Sequence, residues 1–277
     1  MANRLAQLAD HFAHPRRLFE GQVAIVTGGG QGVGAETARL LASKGARVVV
    51  ADMDAEECRA VADKIQSSGG QAIGVSGDMT SSAYIAELVS SASHFGHGKI
   101  HIIVNTAGFG WDGAVHRMPE AQWETLIALH CTAPFRLARA AAAYFCVHDG
   151  EARRIINVSS ANALDGDAGA VNYSLARAGV AGMSKTIAKD WGRRFGVRCD
   201  TITLGGAESP LTTAEDAGDD GISAGARRGR LWSDVAPRHG DATYADMHVG
   251  WPGSARAAAS RILAVASDGL SRHATGC

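Results

Sequence analysis

The sequence Val23-Ala-Ile-Val-Thr27-Gly28-Gly-Gly-Gln31-Gly32-Val33-Gly34 combines an apolar run, a glycine-rich turn and the start of a helical pattern that continues over 35–42. Glycines let a backbone adopt positive φ and approach a diphosphate closely, and the first N–H groups of a helix attract an anion. The pattern predicts a strand, a phosphate-binding turn and a helix. The predicted phosphate contacts are Gly28, Gln31, Gly32, Val33 and Gly34. A glycine-rich surface turn without a ligand is the alternative.

A second apolar strand, 46–50, follows one helix later and leads to Asp52. An acid about 20 residues beyond the glycines is where a dinucleotide site binds the ribose. Its carboxylate would accept a hydrogen bond from the ribose 2′-OH and repel a 2′-phosphate, so we expect NAD(H) rather than NADP(H). The absence of a basic residue at Gln31 agrees with that expectation. An acid that only caps the next turn would give the same residue.

Apolar strands and amphipathic helices alternate along the chain as far as Thr203. This rhythm predicts an α/β fold: a single-domain, Rossmann-type, doubly wound parallel sheet in three layers, with ligands at the carboxyl ends of the strands. The later predicted strands are 71–75, 100–105, 154–158 and 197–203, and the later predicted helices are 55–68, 81–94, 120–146 and 171–195.

Composition argues against several classes of partner. The 277 residues carry a formal net charge of −1, and no apolar run approaches the length of a membrane span. We therefore expect a small-molecule substrate, with no nucleic acid and no membrane as partner. Five widely spaced cysteines predict neither a disulfide framework nor a thiolate metal site, and they fit a reducing cytoplasm. Residues 1–20 lack the apolar core of a signal peptide and predict a short helix ahead of the domain.

Four motifs lie at the ends of predicted strands: Thr27-Gly28-x-x-x-Gly32-x-Gly34, Asp78-Met79-Thr80, Asn105-Thr106-Ala107-Gly108, and Ser160 thirteen residues before Tyr173. Together they resemble the motifs of the short-chain dehydrogenase/reductase family. The resemblance is nearest to bacterial 3-oxoacyl-ACP-reductase-like members, and it implies an NAD-binding domain over 21–277. In that domain Tyr173 would exchange a proton with the substrate oxygen, which Ser160 would hold. The cofactor contacts that it further implies are Asp78, Met79, Asn105, Ala107, Gly108, Tyr173 and Arg177.

Two departures from the family pattern lie close to the expected catalytic tyrosine. Arg177 stands where the family has a lysine; arginine keeps the positive charge that stabilises a phenolate and can bind the cofactor ribose, but it cannot release a proton. His130 stands where the family usually has an asparagine that holds a water. An imidazole that titrates near neutrality could pass on the proton that Arg177 cannot. A structural hydrogen-bonding role for His130 is the alternative.

Other departures concern the end of the chain. Leu204 replaces a family proline next to the nicotinamide, and the chain stops at Cys277 where the family continues into one more strand. We therefore expect a six-stranded sheet that lacks the family's last strand, and a homodimer through the two long helices rather than a tetramer.

Residues 206–251 lose the alternation and occupy the place of the family's substrate lid, so we expect either a lid or a flexible loop. Residues beside the motifs are weaker candidates for the pocket wall: Phe109, Trp111, Leu164 and Asp165. No metal site is expected, because the spaced histidines His94, His97 and His101 straddle a turn without a nearby carboxylate.

These observations predict an NAD(H)-dependent oxidoreductase that interconverts a secondary alcohol and a ketone, with a 3-oxoacyl-like or natural-product-like substrate. The alternative is a related protein without redox activity, either a nucleotide-binding sensor or structural protein, or a non-redox cyclase or lyase. Arg177, Leu204 and the shortened end of the chain favour that alternative.

Overall fold

The computed structural model of the chain describes residues 18–205 and 254–267. The expectations for the N-terminal helix, the lid over 206–251 and the segment after 267 therefore lie wholly or largely outside the described residues. Within those residues, no helix combines the length and the apolar character that a membrane span requires.

One parallel sheet forms the centre of the described fold. Its strands are β1 (Val23–Thr27), β2 (Arg47–Asp52), β3 (Gln71–Ser76), β4 (Ile102–Asn105), β5 (Arg153–Ser160) and β6 (Val197–Leu204). They lie in the order β3-β2-β1-β4-β5-β6, and every neighbouring pair is parallel. The predicted doubly wound parallel sheet is confirmed, with six strands among the described residues. The order reverses beside β1, so the carboxyl ends of β1 and β4 border the crevice where such sheets bind ligands.

Helices cover both faces of this sheet. They are α1 (Gly32–Ser43), α2 (Ala55–Ser67), α3 (Ser82–Phe95), α4 (Glu120–Ile127), α5 (Ala133–Ala140), α6 (Ala142–Phe145), α7 (Asn162–Asp165), α8 (Val171–Phe195) and α9 (Ala255–Ala266). Successive residues of β1 serve opposite faces: Ala24 and Val26 pack with α1, α2 and α9, whereas Ile25 packs with α3 and α5. Because β1 is buried on both sides, it reads as a continuous apolar run rather than an alternating one.

The predicted helix over 120–146 is helical over 120–140 but is not one regular α-helix. Between α4 and α5 the chain forms a π-helical turn, Ala128–Thr132, in which the N–H of Ala133 bonds the carbonyl of Ala128. Pro134 lies at the start of α5 and has no N–H to give the carbonyl of His130, so regular α-helical bonding cannot run through this point. The resulting wider turn carries His130 toward the candidate site, as π-turns in helices often do at functional positions.

Candidate active site

The glycine turn after β1 packs directly against α1 and against the end of β4. Gly28 and Gly32 have φ values of 63° and 54°, which favour glycine. A Cβ on Gly28 would lie 2.7 Å from Cα of Ala107, and a Cβ on Gly34 would overlap the carbonyl oxygen of Gly28. Side chains at these two positions would therefore separate the turn from the elements that hold it.

The first turn of α1 presents backbone N–H groups without a side-chain cap. Gln31, the residue before the helix, makes no capping bond through its side chain, and the first turn contains no acid. The N–H groups of Gly32, Val33 and Gly34 therefore suit a phosphate anion. The predicted phosphate contacts converge on this turn, and the cradle fits the diphosphate of a dinucleotide.

Asp52 lies at the end of β2 and contacts that same turn. Its Oδ2 accepts a hydrogen bond from the N–H of Gly30 at 2.9 Å, and its Oδ1 accepts one from the N–H of Asp54 at 3.2 Å. The acid thus caps the next turn and also approaches the glycines. The turn-capping geometry is therefore present. Each carboxylate oxygen can accept a further bond, and the ribose contact of Asp52 stays a prediction.

Asp78 holds a turn rather than a helix end. Its two carboxylate oxygens accept bonds from the N–H and the hydroxyl of Thr80, at 2.8 and 2.7 Å. The N-cap of α3 is Ser81, whose Oγ accepts from the N–H of Tyr84. Neither Asp78 nor Thr80 therefore caps this helix. Met79, which follows Asp78, is buried.

The end of β4 is tied to the glycine turn through Thr27. The hydroxyl of Thr106 donates to the carbonyl of Thr27, and the N–H of Ala107 donates to the hydroxyl of Thr27 at 3.2 Å. On the other side, Nδ2 of Asn105 donates to Oδ1 of Asn157 at 2.7 Å. These bonds hold Asn105, Ala107 and Gly108 at the crevice between β1 and β4. The sequence does not reveal the contact of Asn157, which looks like an ordinary strand residue, nor the bonds by which Thr27 joins the two strand ends.

Tyr173, Arg177 and His130 form one cluster. The guanidinium carbon of Arg177 lies 5.2 Å from the centroid of the Tyr173 ring. The His130 ring meets the Tyr173 ring edge-on, with a centroid distance of 5.1 Å and an interplanar angle of 86°. The four-residue spacing on α8 and the π-turn before α5 therefore bring together the three residues that the sequence predicted to act together.

Arg177 points into the protein. It is 6% exposed, and its Nη1 donates to the carbonyl of Val158 at 2.7 Å. Its own carbonyl accepts from the hydroxyl of Ser159 at 2.9 Å, a contact that the sequence did not reveal. The guanidinium is thus bound to β5, the strand that also carries Ser160. The expected ribose contact stays a prediction.

His130 is buried and neutral. Its Nε2 lies 2.8 Å from the carbonyl oxygen of Phe109, which can only accept, so Nε2 carries the proton. Burial, and secondarily the positive charge of Arg177, hold the pKa of His130 well below its ordinary value. The expectation that this imidazole titrates near neutrality is wrong, because burial removes the bulk solvent that would stabilise an imidazolium. His130 instead orders the loop that begins at Phe109.

The remaining candidates lie around this cluster. Ser160 ends β5, and its hydroxyl accepts from the N–H of Asn162 at 3.4 Å. The carbonyl of Trp111 accepts from Nε2 of Gln122 at 2.7 Å and from Nδ2 of Asn172 at 3.0 Å. Side chains on α4 and α8 thus fix the loop that carries Trp111, which no sequence signal indicated. The pocket-wall candidates Leu164 and Asp165 lie exposed on α7.

Two further expectations concern residues away from this cluster. Leu204 is buried at the end of β6, beside Ser160 in the sheet. His101 has a structural role, because its Nδ1 accepts from the N–H of Val23 and its Nε2 bonds Glu151. In the part of the chain that the structure describes, no three His, Cys, Asp or Glu side chains are arranged to hold a metal ion.

Comparisons with known proteins agree with this geometry. Residues 22–220 match the family described as short chain dehydrogenase. The 3-oxoacyl-[acyl-carrier-protein] reductase FabG of Vibrio cholerae is 33% identical over 71% of this chain and 78% of its own length. The (2S)-[(R)-hydroxy(phenyl)methyl]succinyl-CoA dehydrogenase subunit BbsD of Thauera aromatica is 32% identical over 70% of this chain and 76% of its own. A metagenomic short-chain oxidoreductase solved with NADP is 35% identical over 68% of this chain and 83% of its own, with a TM-score of 0.62. With its sheet order, glycine turn and tyrosine cluster, the chain belongs to the short-chain dehydrogenase/reductase family, whose members use NAD(P)(H), and it is distantly related to the bacterial 3-oxoacyl-ACP reductases.

Proposed function

We propose that this protein is an NAD(H)-dependent oxidoreductase that interconverts a secondary alcohol and a ketone. The observation that carries the proposal is the Arg177 guanidinium fixed 5.2 Å from the Tyr173 ring at the carboxyl end of the sheet. A tyrosine acts as an acid/base near neutral pH only when a nearby group stabilises its phenolate, and a fixed buried cation does that.

Tyr173 is the proposed acid/base. In the direction of reduction its hydroxyl gives a proton to the substrate oxygen, and the phenolate that remains is stabilised by the charge of Arg177. Because an arginine does not release a proton, Arg177 contributes only its charge to the proton transfer, and Tyr173 regains its proton from solvent rather than from this side chain. Ser160 donates a hydrogen bond to the same substrate oxygen, which orients the carbonyl before the transfer.

The bound cofactor supplies or accepts the hydride. The uncapped N–H groups of Gly32, Val33 and Gly34 would hold its diphosphate. The small residues Gly28 and Ala107 would let the backbone approach the cofactor closely. Asp78 and Met79 would lie beside the adenine. Nη2 of Arg177, which lies on the Gly108 side, is the guanidinium nitrogen that we expect to reach the nicotinamide ribose.

Asp52 supports the preference for NAD(H). Its carboxylate already lies at the glycine turn, 2.9 Å from the N–H of Gly30. A 2′-phosphate at the ribose would meet that negative charge, whereas a 2′-OH could donate to it. The metagenomic relative was solved with NADP, so the proposed preference for NAD(H) rests on Asp52 and not on that relative.

A 3-oxoacyl thioester is the proposed substrate class. The relatives from Vibrio cholerae and Thauera aromatica carry names that refer to an acyl-carrier protein and to an acyl-CoA. Phe109 and Trp111, held by His130, Gln122 and Asn172, would line the acyl side of the pocket. Leu164 and Asp165 would border its entrance.

A homodimer in the cytoplasm is part of the same proposal. Phe135 on α5 and Leu175 on α8 are large apolar side chains that are 47% and 50% exposed. Pairing of these helices with those of a second copy would cover both residues. A Phe135→Glu variant that stays dimeric by light scattering would contradict this contact.

Activity on a short 3-oxoacyl thioester with NADH tests the proposed function. We expect turnover by the wild-type protein, and a loss on the order of 10²-fold to 10⁴-fold in Tyr173→Phe, because proton transfer is removed while the ring stays in place. Tyr144→Phe is the matched control and should keep full activity. Wild-type protein that binds NADH but turns over no ketone or alcohol of a broad panel would favour the non-redox alternative.

A further inference from the structure

We propose that one buried water molecule is an integral part of this site, bound jointly by Arg177, His130 and Asn105. Three buried polar atoms without a partner point to it: Nε of Arg177, Nδ1 of His130 and Oδ1 of Asn105. Their residues are 6%, 1% and 6% exposed. A buried polar atom without a hydrogen bond destabilises the folded state, so three of them at one place require an explanation.

All three residues line the same small cavity. It lies beneath the carboxyl ends of β1, β4 and β5, where the π-turn and α8 meet the sheet. The space open to the centre of a water-sized sphere is about 10 Å³, which is at the lower limit for one water molecule. A substrate or a cofactor ring is far too large for it.

The donor and acceptor characters of the three atoms are those that one water molecule satisfies. Nε of Arg177 can only donate. Nδ1 of His130 can only accept, because Nε2 carries the proton that goes to Phe109. Oδ1 of Asn105 is also an acceptor, since Nδ2 of the same amide already donates to Asn157. A water that accepts one bond and donates two would satisfy all three.

Gly108 keeps this region open. A Cβ at residue 108 would lie 2.7 Å from Nδ1 of His130 and 2.8 Å from Nη2 of Arg177, so both side chains approach the same point. The histidine and the arginine that replace the family's usual residues therefore act together through a shared water. In this arrangement His130 is a positioning residue that holds the Arg177 charge against Tyr173.

A high-resolution crystal structure of the full chain tests the proposal. We expect one water oxygen about 3 Å from each of the three atoms. An empty cavity, or direct bonds among the three side chains, would overturn the proposal.

Nitrogen NMR of the labelled protein gives an independent readout that needs no activity. We expect His130 in the Nε2–H form across about pH 6 to 8, and an Nε–H signal of Arg177 that exchanges slowly with solvent. In His130→Phe, which keeps a ring against Tyr173 but loses the acceptor, the Arg177 signal should shift and exchange at least tenfold faster. His148→Phe is the control and should leave that signal unchanged. A proton on Nδ1 of wild-type His130, or an Arg177 signal indifferent to His130→Phe, would overturn the proposal.

Discussion

The imidazole of His130 lies edge-on to the ring of Tyr173, 5.1 Å away, while its Nε2–H is committed to the carbonyl of Phe109. A histidine beside a catalytic tyrosine would ordinarily suggest a proton carrier. Here burial and the hydrogen bond to Phe109 keep His130 neutral, so it packs against Tyr173 without carrying a proton. The positive charge near Tyr173 comes from Arg177.

Replacement of Arg177 separates charge from proton release. Arg177→Lys keeps the positive charge, so we expect kcat/KM for ketone reduction to stay within about tenfold of wild type. Arg177→Met removes the charge and should lower kcat/KM on the order of 10²-fold or more, since the phenolate loses its stabilising cation. Equal activity of the Lys and Met variants would contradict this role for the arginine.

Replacement of Asp52 tests cofactor choice. Asp52→Asn removes the negative charge but keeps an acceptor oxygen, so the preference for NADH over NADPH should narrow about tenfold or more, which corresponds to about 1.4 kcal/mol. Fluorescence titration with each cofactor measures it. Asp63→Asn on α2, an exposed acid away from the glycine turn, is the control. A preference that Asp52→Asn leaves unchanged would mean that this carboxylate does not recognise the ribose.

Two glycine-to-alanine changes, one beside the glycine turn and one on α8, should have opposite effects on stability. In Gly34→Ala the new Cβ would overlap the carbonyl of Gly28, so we expect a loss of about 1–3 kcal/mol in the free energy of unfolding and weaker NADH binding. Gly182→Ala on α8 places its Cβ in open space and should stabilise the protein by about 0.5–1 kcal/mol. Urea unfolding with and without NADH distinguishes the two, and equal stabilities would refute the close packing.

The depressed pKa of His130 predicts a pH dependence of stability. An unfolded histidine has a pKa of about 6.5, and the folded pKa lies well below its ordinary value. The unfolded state therefore binds more protons as the pH falls below that range, so stability is full above it and falls by up to about 1.4 kcal/mol per pH unit for this group. His101, whose pKa burial also lowers, adds a loss in the same direction.

Urea unfolding between about pH 7 and 5 measures this slope. His130→Gln should lower the slope of stability against pH by up to about 1.4 kcal/mol per pH unit, the contribution of one proton. His97→Gln is the control and should not change the slope, because position 97 lies exposed in a turn. An unchanged slope in His130→Gln would show that folding does not lower the pKa of His130.

The fold could be predicted from the sequence because each strand carries its own signal. Glycines 28, 32 and 34 and the buried apolar strands specify the parallel sheet locally. The sequence predicts which residues form the candidate site, but not the contacts that those residues make. The helix over 120–146 looked continuous because its apolar spacing is regular, and the effect of Pro134 becomes evident only with the π-turn. The neutral state of His130 depends on burial by Arg177 and the Phe109 loop, which are remote in the sequence.

The central claim is that Tyr173 and Arg177 serve a hydride transfer between NAD(H) and a carbonyl carbon. The most direct measurement is transfer of deuterium from the nicotinamide C4 of labelled NADH to a 3-oxoacyl thioester, followed by mass spectrometry of the product. We predict one deuterium on the new carbinol carbon with the wild-type protein. With Tyr173→Phe the yield of labelled product should fall on the order of 10²-fold or more. Product without label, or equal labelling by Tyr173→Phe, would contradict the account.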